Sequence, residues 1–182
     1  MRSSRSAFWS ALLALVLACE CVADAGPGNE TLNLSLPALR VGEERVELAR
    51  YRNMIVYVDV WASWCAPCLR SMPELEALQE KFRDQPFAVV AVNVDDDPAA
   101  ARAFLERVDV HYPVAFDRNG AQLRERIGDE VDLSALPVGF LLDGRGTIRL
   151  VHRGYSPGQS AFLADHIQTL LAQLELESND RR

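Results

Sequence analysis

Two kinds of apolar spacing alternate along this chain. Residues Met54 to Val60 and Phe87 to Val94 are nearly unbroken apolar runs, the pattern of strands covered on both faces inside a sheet. Between them Leu69, Met72, Leu75, Leu78 and Phe82 recur at three- and four-residue spacing, which predicts an amphipathic helix reaching about Arg83. Pro73 falls inside that helix and should kink it. Upstream, Thr31 to Leu36 alternates sides and Glu43 to Leu48 partly does so, with Pro37 and Gly42 between them; a β-hairpin ahead of the main sheet is expected.

Downstream, Asp97 and Pro98 have the residue types of a helix N-cap and first helical position. Tyr112 to Asp117 reads as a short strand and Gln122 to Ile127 as a short helix. Val138 to Leu142 and Thr147 to Val151 form two more strands, joined by a hairpin turn over Asp143, Gly144, Arg145 and Gly146. Ser156 and Gln159 have capping-box spacing, ahead of a final helix with one apolar stripe of Leu163, Ile167, Leu170 and Leu174. Ser178 to Arg182 is expected to fray. Strands alternating with helices and ending in a hairpin and helix make an α/β fold, a mixed central sheet with helices on both faces. No internal repeat is visible.

At 182 residues, 49% hydrophobic and 25% charged, the chain suits one well-buried domain. A formal charge of −7 without a long Lys/Arg cluster argues against nucleic acid as a partner, since phosphate binding needs a basic footprint. The first residues carry a different signal. Arg2 and Arg5 precede an apolar run from Ala7 to Ala18, in the order and length of a signal-peptide core and too short for a comfortable membrane span. Two processing routes are open: Val16 to Cys19 resembles a lipobox, which would lipidate Cys19, whereas Ala23 to Ala25 resembles an ordinary cleavage site. Residues 1–25 are thus expected to be a signal peptide or lipoprotein leader and linker, and 26–182 the domain. Either route, or an uncleaved anchor, places the domain in the periplasm or otherwise outside the cytoplasm, touching the membrane only through its N-terminus. Under ordinary cleavage Cys19 and Cys21 would both be lost, whereas under the lipobox route Cys21 would survive as a free thiol.

Cys65 and Cys68 carry the chemistry. They stand three residues apart, directly after a buried strand and at the start of a helix, so they can meet across one turn. The helix N-terminus favours negative charge and lowers the pKa of a thiol placed there, which makes Cys65 the attacking sulfur and Cys68 the resolving one. A zinc site would need four ligands, and the other two cysteines lie in the leader. Two inert buried thiols are the remaining alternative.

The string Trp61, Ala62, Ser63, Trp64, Cys65, Ala66, Pro67, Cys68 resembles the active site of the thioredoxin superfamily, and the order of elements from about Leu32 to Leu174 matches its fold. The leading hairpin and the helix and strand between Asp97 and Asp117 resemble the additions of its TlpA-like branch of exported thiol-disulfide oxidoreductases. The resemblance implies an enzyme without a cofactor, exchanging disulfides through a mixed disulfide. With Ala66 and Pro67 between the cysteines, a reducing couple is expected, nearer thioredoxin's roughly −270 mV than DsbA's roughly −120 mV.

Asp59 lies six residues before Cys65, where thioredoxins carry a buried Asp that takes the proton of the resolving thiol. Burial should raise its pKa toward neutrality; the alternative is a carboxylate facing solvent or paired with an Arg. Leu136 and Pro137 precede a strand where the superfamily has a cis-proline facing the disulfide, a place for an extended substrate; a trans loop proline is the alternative. Trp64 and Pro67 would line the same docking surface, whereas Trp61 can be core. Implied partners are disulfide-containing envelope proteins, such as apocytochromes c, and a membrane thiol electron donor.

Other candidates are weaker. His111, His152 and His166 are scattered and read as structural or solvent-facing. Asp95, Asp96 and Asp97 read as a solvated loop ending in a helix cap, with no EF-hand spacing. An oxidant that donates its disulfide shares every residue of the reductase and differs only in redox poise. A non-catalytic copper-binding or scaffold protein is the alternative from another class, although its copper-binding relatives resemble a wider cysteine spacing plus a His.

Overall fold

The computed structural model describes residues 31–40, 42, 44–128 and 132–180. The leader, Cys19, Cys21, the linker up to Glu30 and the start of the second hairpin arm at Glu43 lie outside the described residues.

The expected hairpin is β1 (Ser35–Pro37) paired antiparallel with β2 (Arg45–Glu47). Pro37 belongs to the strand rather than to the turn and closes the pairing opposite Arg45, an edge position where its missing N–H costs nothing. The main sheet contains β3 (Ile55–Trp61), β4 (Phe87–Asn93), β5 (Val114–Phe116), β6 (Val138–Leu142) and β7 (Ile148–Arg153) in the order β5-β4-β3-β6-β7. β3, β4 and β5 run parallel, while β6 and β7 are antiparallel additions.

Every residue of β3 and β4 is buried, so both faces of the sheet centre are covered. This is why those two segments read as continuous apolar runs rather than alternating ones. The chain from Leu32 to Leu39 runs between the two edges: Leu32 N–H donates to Gly146 O in the β6–β7 turn, and Leu39 N–H donates to Val114 O of β5. Its leucines Leu32, Leu34, Leu36 and Leu39 are all buried.

The helices are α1 (Ala66–Lys81), α2 (Pro98–Leu105), α3 (Ala121–Ile127) and α4 (Gln159–Asp180). α1 crosses from β3 to β4, continues through Pro73 and contacts α4. Its buried side is Cys68, Ser71, Met72, Leu75 and Leu78, so the stripe begins at Cys68. Leu69, one residue and about 100° around the helix from Cys68, is 45% exposed instead of lying in the expected stripe.

Asp97 caps α2 by accepting from Ala99 N–H at 2.9 Å, with Pro98 at the first helical position. Half of the expected capping box forms at α4: the Gln159 side chain accepts from Ser156 N–H at 3.4 Å. The C-terminal residues Ser178 to Asp180 are helical rather than frayed. Glu177 pairs with Arg145 at 3.1 Å and ties the last turn of α4 to the β6–β7 turn. Residues 181 and 182 lie outside the described residues.

Candidate active site

Strand β3 ends at Trp61, and a short turn delivers Cys65 to the N-cap of α1. Cys65 N–H donates to Ala62 O at 3.0 Å and Cys68 N–H to the Cys65 sulfur at 3.2 Å. Cys65 and Cys68 form a disulfide, with Cα atoms 5.3 Å apart. The local geometry favours charge on the first sulfur, because the Cys68 N–H, which also donates to Cys65 O at 3.1 Å, stands at the positive end of the helix dipole and stabilises an anionic N-cap atom.

The two cysteines differ in surroundings. Cys68 is fully enclosed, and Ser71 Oγ–H donates to its carbonyl at 3.1 Å. Cys65 is 3% exposed and sits at the rim, between Trp64, which is 64% exposed, and exposed Ala66. With half-buried Pro67 and exposed Leu69 these residues give the rim an apolar surface. Trp61, by contrast, is core: it is wholly buried and packs on Phe104 of α2 with ring centroids 4.9 Å apart.

The Leu136–Pro137 peptide bond is cis. Val138, the next residue, pairs with Val60 of β3, so the proline stands beside the end of β3 from which the cysteine turn departs. Gly154 N–H donates to Pro137 O at 2.8 Å, which fastens this loop to the end of β7. Sheet register therefore brings segments more than 60 residues apart in sequence to one end of the domain, the carboxyl end of the parallel strands, where open α/β sheets place their sites.

Asp59 is 1% exposed, and its Oδ2 has no hydrogen-bonding partner. It neither faces solvent nor meets an Arg. Burial alone pushes its pKa up from the ordinary carboxylate range to about 7, because the protein interior cannot replace the hydration of a charged carboxylate.

Asp95 departs from the expected solvated loop. It is 4% exposed and accepts from Ser63 N–H at 3.0 and 3.2 Å, from Ser63 Oγ–H at 3.1 Å and from Asn93 Nδ2–H at 2.8 Å. A carboxylate can be buried when several donors satisfy it, and here they belong to the turn preceding Cys65. Asp95 thus clamps the site from the end of β4. Only the short distance from Asn93 to Asp95 hinted at this in sequence, since the partner at Ser63 is 32 residues away. Asp96 does face solvent and pairs with Arg118, and Asp97 is the cap already described.

The three histidines lie apart. His111 pairs with Glu76, His152 lies beside Tyr57, and His166 stacks on Phe162. Among the described residues no three His, Cys, Asp or Glu side chains are grouped to hold a metal ion.

Residues 26–166 match the family model described as Redoxin. The chain is 31% identical over 130 residues to the thioredoxin-like protein YneN of Bacillus subtilis, covering 70% of this chain and 71% of that one. It is 27% identical over 105 residues to the thiol-disulfide oxidoreductase ResA of Bacillus thuringiensis, covering 58% of each chain. Among solved structures, a protein assigned as a thiol:disulfide interchange protein DsbE from Chlorobium tepidum superposes with a TM-score of 0.70 at 33% identity. That superposition covers 79% of this chain and 96% of the other.

Proposed function

The chain belongs to the redoxin family and is a thiol-disulfide oxidoreductase of the ResA and DsbE type, and from that premise we propose that it reduces disulfides of exported proteins, with Cys65 attacking, Cys68 resolving and Asp59 moving the proton. The observation that carries this reading is the asymmetry of the pair. Cys65 sits at an apolar rim on a helix N-cap, and Cys68 is fully enclosed behind it.

In the reduced protein the Cys65 thiolate attacks one sulfur of the partner's disulfide. A mixed disulfide forms, and the partner's other sulfur leaves as a thiolate. Cys68 passes its proton to Asp59 and attacks the Cys65 sulfur. The Cys65–Cys68 disulfide forms, the mixed disulfide breaks, and the partner departs with both sulfurs reduced. Two electrons move from the protein to the partner, and a membrane thiol donor restores them. A carboxylate whose pKa lies near 7 is matched to taking and returning a proton at neutral pH.

Trp64, Pro67 and the Leu136–Pro137 loop form the docking surface, which suits an unfolded or extended segment around a cysteine pair, as in envelope proteins or apocytochromes c. The leader predicted over residues 1–25 supports export, with Cys19 as the lipid attachment point on the lipobox route. Among the described residues no helix is long and apolar enough to cross a membrane.

Two measurements test the reading. Cys68→Ser should trap a mixed disulfide through Cys65 with a partner protein, whereas Cys65→Ser should trap none; trapping through Ser-substituted Cys65 variants at Cys68 would reverse the roles. The equilibrium potential of the Cys65/Cys68 couple should fall near or below roughly −230 mV. A value above roughly −180 mV would make the protein a disulfide donor.

A further inference from the structure

A buried carboxylate that serves Cys68 in every cycle must also exchange its proton with water, and Asp59 is 1% exposed. The sheet supplies an exit. Asp59 of β3 pairs with Gly139 of β6, and Gly139 pairs with His152 of β7, so the three residues form one row across the sheet, on one face. Neighbours in such a row stand ~4.5–5.5 Å apart. Gly139 contributes no side chain, and the Tyr57 hydroxyl fills that place: a Cβ on Gly139 would lie 1.9 Å from it. Tyr57 reaches there from the preceding row of β3, and its hydroxyl lies 3.4 Å from His152 Nδ1. His152 is half-buried on the outermost strand.

We propose that Tyr57 and His152 form the proton path between Asp59 and solvent, an inference that rests on the reading of Asp59 as the acid–base group for Cys68. Asp59 Oδ2 has no hydrogen-bonding partner at rest, so the protonated carboxyl must turn to the Tyr57 hydroxyl before it gives its proton to that oxygen as Tyr57 gives its own to His152 Nδ1. The imidazolium then releases a proton to water. Asp59 ends as the carboxylate, ready for the next Cys68 proton, and Tyr57 ends neutral as it began.

The groups around the path suit the direction. Burial lowers the pKa of His152 and raises that of Tyr57, so the imidazole is a neutral acceptor that gives its proton up readily, and the phenol stays protonated. On the His152 side, α4 contributes the ring of Phe162, 6.2 Å away, with His166 beyond it. On the other side Tyr112 feels the charges of Asp59, Glu76 of α1 and Arg40. Its buried hydroxyl has no hydrogen-bonding partner.

The test is single-turnover oxidation of the reduced protein by 5,5′-dithiobis(2-nitrobenzoate) at pH 6, where Asp59, its pKa raised to about 7 by burial, starts protonated and must empty through the path before it can take the Cys68 proton. The first thionitrobenzoate is released when Cys65 attacks, and the second when Cys68 resolves the mixed disulfide. In dilute buffer free of imidazole, Tyr57→Phe and His152→Ala should each slow the second release about tenfold, within the ~100-fold that a positioned acid–base group supplies. The first release and the equilibrium potential should not change. Added imidazole should restore His152→Ala and leave Tyr57→Phe slow, a rescue that a merely structural role would not show.

If Asp59→Asn slows the second release and both relay variants leave it unchanged, the path is wrong while the role of Asp59 stands. If Asp59→Asn leaves the second release unchanged, the acid–base reading and the path fall together. Should Tyr57→Phe fold poorly, His152→Ala on its edge strand and the imidazole titration decide alone.

Discussion

Replacing Asp59 by Asn should make the protein more stable at pH 8 and leave it nearly unchanged at pH 4. Burial raises the pKa of this carboxyl from 3.8 to about 7. Between those two values the unfolded chain has lost the Asp59 proton while the folded chain keeps it. Stability then falls as pH rises, by ~1.4 kcal/mol per pH unit. The fall begins above the unfolded pKa and is complete once pH exceeds the folded one, so roughly three pH units remove about 4 kcal/mol from the wild type. The Asn side chain cannot ionise and escapes that loss. In a protein of this size about 4 kcal/mol corresponds to a rise of roughly 10 °C in Tm.

Urea unfolding of the disulfide form at pH 4 and pH 8, for wild type and Asp59→Asn, measures the effect. The difference between the two proteins is the quantity to follow, because other groups cancel in it. His152, whose folded pKa is lowered by burial, acts the opposite way: its contribution is lost as pH falls and restored as pH rises through the unfolded His value. A gain equal at both pH values would be ordinary repacking. No gain at pH 8 would mean that the ionised carboxylate finds water or a cation, and the argument from burial would fail.

Two further outcomes follow from contacts described above. Asp95→Ala leaves the Ser63 N–H and the Asn93 amide without their acceptor; it should cost about 3 kcal/mol, and limited proteolysis should then cut near Trp64 faster than in the wild type, which an intact turn would contradict. Gly139→Ala puts a methyl group where the Tyr57 hydroxyl and ring edge lie and should cost about 1–3 kcal/mol. Combining it with Tyr57→Leu should return most of that loss in a double-mutant cycle, and simple additivity would show that the two residues do not compete for the same space.

The main elements were legible because their signals are local. The apolar runs at Met54 to Val60 and Phe87 to Val94, the Asp97–Pro98 cap and the turn from Asp143 to Gly146 each announce themselves within a few residues. Leu69 was misplaced because periodicity finds a helix more reliably than it finds the face of its first turn. Ser178 to Asp180 were misplaced because their helix is held by Arg145, which is distant in sequence. Asp95 looked like one more acid in an exposed run because its donors at Ser63 belong to another segment.

By itself the sequence pointed to the candidate chemistry: two cysteines at helix spacing after a buried strand suit a dithiol, and a place at the helix start nominates Cys65 as the sulfur to be activated. It also marked Asp59 as an anomaly, since a carboxylate amid Val and Ile has few places to go. Only the tertiary structure decided what surrounds those groups. Strand register set Pro137 beside the end of β3, aligned Asp59, Gly139 and His152 in one row, and brought Asp95 under the cysteine turn. Register depends on how whole strands bury their apolar faces together, a property of the assembled sheet that no short stretch of chain contains.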